Sequence, residues 1–180
     1  DFTFGGIFTE PTVDADFDPV NPEDIHYTYF YAGWNENGPY TEVPVPEKGG
    51  YYYVVVDIDG TDNYNPIVAY GSQDTTGFTV SRLQIDKPAW SDPGTVYSYD
   101  SKEQTRTLTG FRTDIMSVKS AAGAKYTITD NKDGSFTATN ADTYTITFSL
   151  GENAVNYEWG DASSGYTSEN FNITWVIAQA

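Results

Sequence analysis

Asp57, Asp59 and Asp62 are the residues of this chain best spaced for metal chemistry. They stand in Asp57-Ile58-Asp59-Gly60-Thr61-Asp62, where the apolar run from Tyr51 to Ile58 ends. Calcium takes about six to eight oxygen ligands, and three close carboxylates with backbone carbonyls can supply them. A full EF-hand loop is absent, because no Glu stands at its twelfth position and no helical pattern flanks it. The plain alternative is a solvated turn closing a β-strand. Calcium is the one cofactor this stretch admits, and no other is expected.

A second constellation is aromatic. Tyr27, Tyr29, Tyr31 and Trp34 fall in the run His26-Tyr27-Thr28-Tyr29-Phe30-Tyr31-Ala32-Gly33-Trp34. Aromatic side chains aligned on one strand face can stack on sugar rings. Three coverings of this surface are compatible with the pattern: a loop or the acidic N-terminal segment, a second module or chain, or a carbohydrate.

Catalysis is poorly supplied. His26 is the single histidine, and cysteine is absent, which removes disulfides, thiolate metal sites and thiol nucleophiles together. No Gly-x-Ser-x-Gly elbow, phosphate loop or dinucleotide fingerprint occurs. With 26 acidic residues, proximity of two carboxylates carries no glycosidase signal. The expectation is a protein that is not an enzyme. A Lys–Asn isopeptide crosslink has raw material in the lysines at 48, 87, 102, 119, 125 and 132 and in asparagines such as Asn172, but no pairing signal.

The net charge of −17 excludes nucleic acid as a partner and anionic membrane as a surface. Residues 1–86 hold 15 acids and two bases, and residues 87–180 hold 11 acids and seven bases. An acidic surface of this kind keeps a protein soluble. No apolar run is long enough to span a bilayer. The chain does not begin with Met and shows no signal peptide, so it reads as a segment of something longer, with any anchor outside it.

The elements that must position these residues are strands. Tyr, Thr, Val and Gly dominate, with 15 Tyr, 10 Phe and 4 Trp. Tyr144, Ile146, Phe148 and Leu150 alternate with polar residues, as do Phe171, Ile173, Trp175 and Ile177, which predicts strands with one buried face. Tyr126–Thr129 and Phe136–Thr139 flank a Gly-containing turn and read as a hairpin. Tyr27–Tyr31, Tyr51–Ile58 and Phe78–Ile85 are strand candidates, and no segment has a helical period.

A pattern recurs at an offset of 93. Tyr51 falls on Tyr144, Asn63-Tyr64 on Asn156-Tyr157, Phe78 on Phe171, Glu10 on Glu103 and Thr12 on Thr105. That spacing suits a whole β-sandwich domain. Two all-β, Ig-like β-sandwich domains are expected, over 1–86 and 87–180, with a stiff linker in the Pro-containing stretch 86–94. The offset places Tyr51, Tyr53 and Val55 toward the core. Tyr52, Val54, Val56 and Ile58 then lie on the other face, which must be covered as well. The second copy lacks the carboxylate set, so the scaffold itself needs no metal there.

Asn156-Tyr157-Glu158-Trp159-Gly160-Asp161, Phe171 to Ile177 and Tyr99 to Thr105 resemble the tandem bacterial Ig-like repeats of Gram-positive cell-surface proteins. Tyr27-Thr28-Tyr29 and Asp62-Asn63-Tyr64-Asn65 are similar to the related MBG-type repeat. The resemblance covers nearly the whole chain. It implies a secreted or wall-attached bacterial protein, outside the cell, whose modules act as spacer, adhesin or partner contact. The alternative it implies is a carbohydrate-binding accessory to a surface polysaccharide-degrading system. Neighbouring modules, host or plant glycans and surface proteins are the implied partners, without direct membrane contact. It supplies no catalytic residues.

Overall fold

The computed structural model describes residues 2–12, 21–61, 65–161 and 165–180, and the architecture is all-β. The chain divides into two compact units, Asp1–Leu83 and Gln84–Ala180.

The first unit contains β1 (Phe2–Thr3), β2 (Ile25–Tyr31), β3 (Thr41–Val43), β4 (Gly50–Ile58), β5 (Ile67–Tyr70), the one-turn helix α1 (Gln73–Thr76) and β6 (Gly77–Ser81). Its strands form one sheet in the order β1-β6-β4-β2-β3, with β5 paired to β4. Strands β1 and β6 run parallel, and the other pairs are antiparallel. The inner face carries Tyr29, Tyr52, Val54, Val56 and Val80, all buried. Phe8, from the segment after β1, covers this face and meets Tyr29 edge-on at 5.4 Å.

Strand β4 corrects the face assignment made from the 93-residue offset. Tyr52, Val54 and Val56 point inward, and Tyr51, Tyr53 and Val55 lie half-buried on the outer face. Both alternations are apolar, so composition does not choose between them. A slip of one residue in the alignment inverts every side chain of a strand.

The second unit follows from β7 (Leu83–Ile85), at whose first residue the units divide. Then come β8 (Ala89–Trp90), β9 (Tyr97–Ser98), β10 (Gln104–Thr109), β11 (Ser117–Gly123), β12 (Thr129–Asp130), β13 (Ser135–Ala138), β14 (Asp142–Ser149), β15 (Tyr157–Asp161), β16 (Gly165–Thr167) and β17 (Phe171–Ala178). One sheet runs β12-β13-β10-β8 and another β11-β14-β17-β9, with a small sheet β16-β15-β7 beside them. This is the strand order of an Ig sandwich, with its first strand split so that β8 joins one sheet and β9 the other. The alternation read from β14 holds: Tyr144, Ile146 and Phe148 are fully buried, with Trp159, Trp175 and Phe136 filling the space around them. The expected hairpin is β12 and β13, pairing Thr129 with Thr137.

The Pro-containing stretch 86–94, expected as a stiff linker, contains a strand of the second unit. Ala89–Trp90 is a strand paired with β10, and Trp90 enters the core and donates its indole N–H to the Thr174 carbonyl at 2.8 Å. An indole of that size gains more from burial than from solvent, so it draws its segment into the fold.

The sheet β9-β17-β14-β11 has the connectivity of β1-β6-β4-β2, including the parallel pairing of its outer strand. A shared corner marks the equivalence. The Tyr144 hydroxyl donates to the Asn140 carbonyl at 2.7 Å, and the Tyr52 hydroxyl donates to the Lys48 carbonyl at 2.8 Å. Each is a tyrosine corner at the start of its strand. Across the ladder Tyr52 faces Phe78, and Tyr144 faces Trp175. The structural offsets are therefore 144−52, or 92, and 175−78, or 97, and loops of unequal length separate them. We expect Tyr52→Phe to cost the first unit about 1 kcal/mol through the lost corner bond. Tyr51→Phe, on the half-exposed face, stays within about 0.5 kcal/mol. Urea midpoints of the two variants decide between the faces.

Candidate functional site

Strands β2 and β4 pair from Ile25↔Ile58 to Tyr31↔Tyr52, so directly opposed residues share a face. This register sorts the candidate residues. Tyr27, Tyr29 and Tyr31 stand opposite Val56, Val54 and Tyr52 on the inner face. The Tyr27 hydroxyl donates to the Pro11 carbonyl at 2.7 Å, and that of Tyr31 donates to the Gly49 carbonyl at 3.0 Å. Burial holds the Tyr29 phenol up at about 12, with Glu10 and Tyr27 adding to it. Burial is also the main cause raising the Tyr27 and Tyr31 phenols. Trp34 lies elsewhere, edge-on to the outward Tyr51 at 5.8 Å and beneath the Arg82 guanidinium at 4.0 Å. The four aromatics proposed as a sugar platform do not share a face.

Two carboxylates of the calcium stretch, Asp57 and Asp59, are engaged with the protein. Asp57 accepts the Ala69 backbone N–H at 2.8 Å, and Asp59 lies 3.3 Å from His26 Nε2. The His26–Asp59 pair is more than half exposed on both sides and contributes little to stability. Asp62 lies outside the described residues. Among the described residues no group of three or more His, Cys, Asp or Glu side chains is arranged to hold a metal ion.

The outer face of the first unit's sheet carries the aromatic surface that strand alternation misassigned. Phe30 and Tyr53 are opposed across β2 and β4, and their rings stack at 4.7 Å and 7°. Tyr40 meets Tyr53 edge-on at 4.9 Å. Beside them is an open groove of about 500 Å³, lined by Tyr40, Tyr53, Val55, Ala69 and Gln73 among others. Tyr53 and Val55 were legible as apolar strand residues, but only with the opposite orientation. Tyr40 had no signal, because it sits in a connection and reaches the sheet through the fold.

The groove is lined by the phenols of Tyr40 and Tyr53, the amides of Asn37 and Gln73, the Ser72 hydroxyl and small apolar groups. It can stack planar groups on its rings and offer backbone and amide hydrogen bonds at its rim. No protein-family model, no curated protein and no solved structure matches this chain.

Proposed function

We propose that this chain is a non-catalytic spacer, built to carry tension, and a contact module of a secreted or wall-attached bacterial surface protein. The observation that carries the reading is the parallel pairing of each unit's last strand with a strand near its start. In the first unit β1 runs parallel to β6, and in the second β9 runs parallel to β17. The ends of two adjacent parallel strands leave the ladder in opposite directions. Tension between them therefore loads the ladder bonds together in shear, where an antiparallel pair opens one bond at a time. Each ladder is extended by one backbone bond, Phe4 N–H to Ser81 O at 2.8 Å and Tyr99 N–H to Ala178 O at 2.9 Å. A cysteine-free sandwich with an aromatic core and an acidic surface suits such work outside the cell.

Single-molecule stretching from the chain ends tests this. Tyr99→Pro removes the donor to Ala178 and should lower the unfolding force of the second unit, leaving that of the first unchanged. A second unit that yields at the same force with and without the substitution bears no load on this ladder, and the spacer reading then fails.

A further inference from the structure

The groove on the outer face of the first unit is built rather than incidental. Its two walls are the segments around Asn37–Tyr40 and Ala69–Gln73, and its floor is Tyr53 and Val55. One wall is held by the Tyr40 hydroxyl, which donates to the Glu36 carbonyl at 2.9 Å. The other is held by Asp57, which takes the Ala69 N–H. Ser72 closes the start of α1 through reciprocal bonds with Thr75.

The charges around it have one sign. Glu36 adjoins the lining residue Asn37, and Asp74 adjoins the lining residue Gln73. After burial, Glu36 is the first of the charges that raise the Tyr40 phenol, and Asp74 contributes in the same direction. No Lys or Arg lines the groove, and residues 1–83 carry 14 acids against two bases. Aromatic rings flanked by carboxylates attract cations.

The same chain holds an arginine in such a setting. In the second unit the Arg106 guanidinium lies 4.5 Å over the Trp90 ring and 5.2 Å over Tyr97, while its Nε donates to Asp92 at 2.9 Å. The planar guanidinium stacks flat on a ring and presents a fixed fork of donors to a carboxylate, where an ammonium is a strongly hydrated point charge. Beside the groove, β5 exposes Val68 at 74%, next to the lining Ala69. That apolar rim suits the residues flanking an arginine in a chain better than it suits free arginine.

We propose that this groove binds an arginine side chain presented by an extended, basic polypeptide segment, with the guanidinium against Tyr40 and Tyr53 and facing Glu36 and Asp74. The assignment goes beyond the spacer reading and does not depend on it.

The test is fluorescence anisotropy of the full chain with a labelled peptide of alternating glycine and arginine, at low and high salt. Lysine and citrulline versions of the peptide and free arginine as competitor serve as comparisons. The arginine peptide should bind, the lysine peptide roughly tenfold more weakly, and the citrulline peptide not at all. Tyr40→Ala should weaken binding roughly tenfold in a chain that still unfolds cooperatively. Should Tyr40→Ala fail to fold, the exposed pair Glu36→Gln with Asp74→Asn takes its place, with an expected loss of similar size. The proposal is overturned if the arginine peptide does not bind, or if lysine or citrulline peptides bind equally. It is also overturned if free arginine competes as well as the peptide, or if the folded variants bind as the parent does. That last result would assign binding to the overall negative charge.

Discussion

Trp175→Ala is expected to destabilise the second unit by about 4 kcal/mol, a fall of roughly 20 °C in melting temperature. Trp175 is fully buried in β17 and joins both sheets. Its ring lies edge-on to Tyr97 at 5.2 Å and touches Tyr144 at 5.9 Å and Trp90 at 6.3 Å. Alanine would leave a cavity among three rings that are themselves fixed by hydrogen bonds from Trp90, Tyr97 and Tyr144. Such a site does not collapse easily, so the cost sits in the upper part of the usual range. Trp175→Phe should cost much less, because the indole N–H finds no acceptor among the described residues. Val176→Ala, one residue on and half-exposed, should change stability by less than about 0.5 kcal/mol. Urea unfolding followed by fluorescence orders the three, and an equal cost for Trp175→Ala and Val176→Ala would contradict this packing.

Arg106→Ala should cost about 3 kcal/mol, because it leaves a partly buried carboxylate without its cation. Arg106 is buried, and it reaches Asp92 through Nε at 2.9 Å and the Asp92 carbonyl at 3.2 Å. Asp92 also accepts the Tyr97 hydroxyl at 2.7 Å. This network pins the segment that crosses from β8 to β9, and so the split strand that seals one edge of the sandwich. The Tyr97 bond, then the Arg106 bond, hold the Asp92 carboxyl below the usual carboxylate range. A pKa lower in the folded state means stability that is fully present above the unfolded value near 4 and is lost as pH falls through the folded value. Asp114, Asp133 and Asp142 are shifted in the same direction and add to the acid sensitivity of this unit. Asp92→Asn should therefore cost most near neutral pH, and the gap to the parent protein should narrow as pH falls below about 4. A gap constant across that range would mean that the Asp92 charge adds nothing to stability.

Much of the second unit was legible in residue order. In β14 one alternation is apolar and the other is Thr and Ser, so the strand and its buried face follow from the period alone. The turn before β13 was equally plain. The first unit was harder because β4 is apolar on both alternations, so period two locates this strand without orienting it. The aromatic surface was visible as composition, and its membership was not. Tyr27, Tyr29 and Tyr31 went inward, while Tyr53, Phe30 and Tyr40 formed the outer surface.

The amino-acid sequence by itself determined the all-β class, most strand positions, the acidic surface and the absence of thiol chemistry, because these depend on local period and composition. The tertiary structure alone decided which face of β4 is buried. The Tyr52 hydroxyl bond to the Lys48 carbonyl marks the outcome, a buried face one residue away from the most regular repeat in the sequence. Side-chain direction in a strand reverses at every residue, so that one step exchanges the core of the first unit for its outer surface.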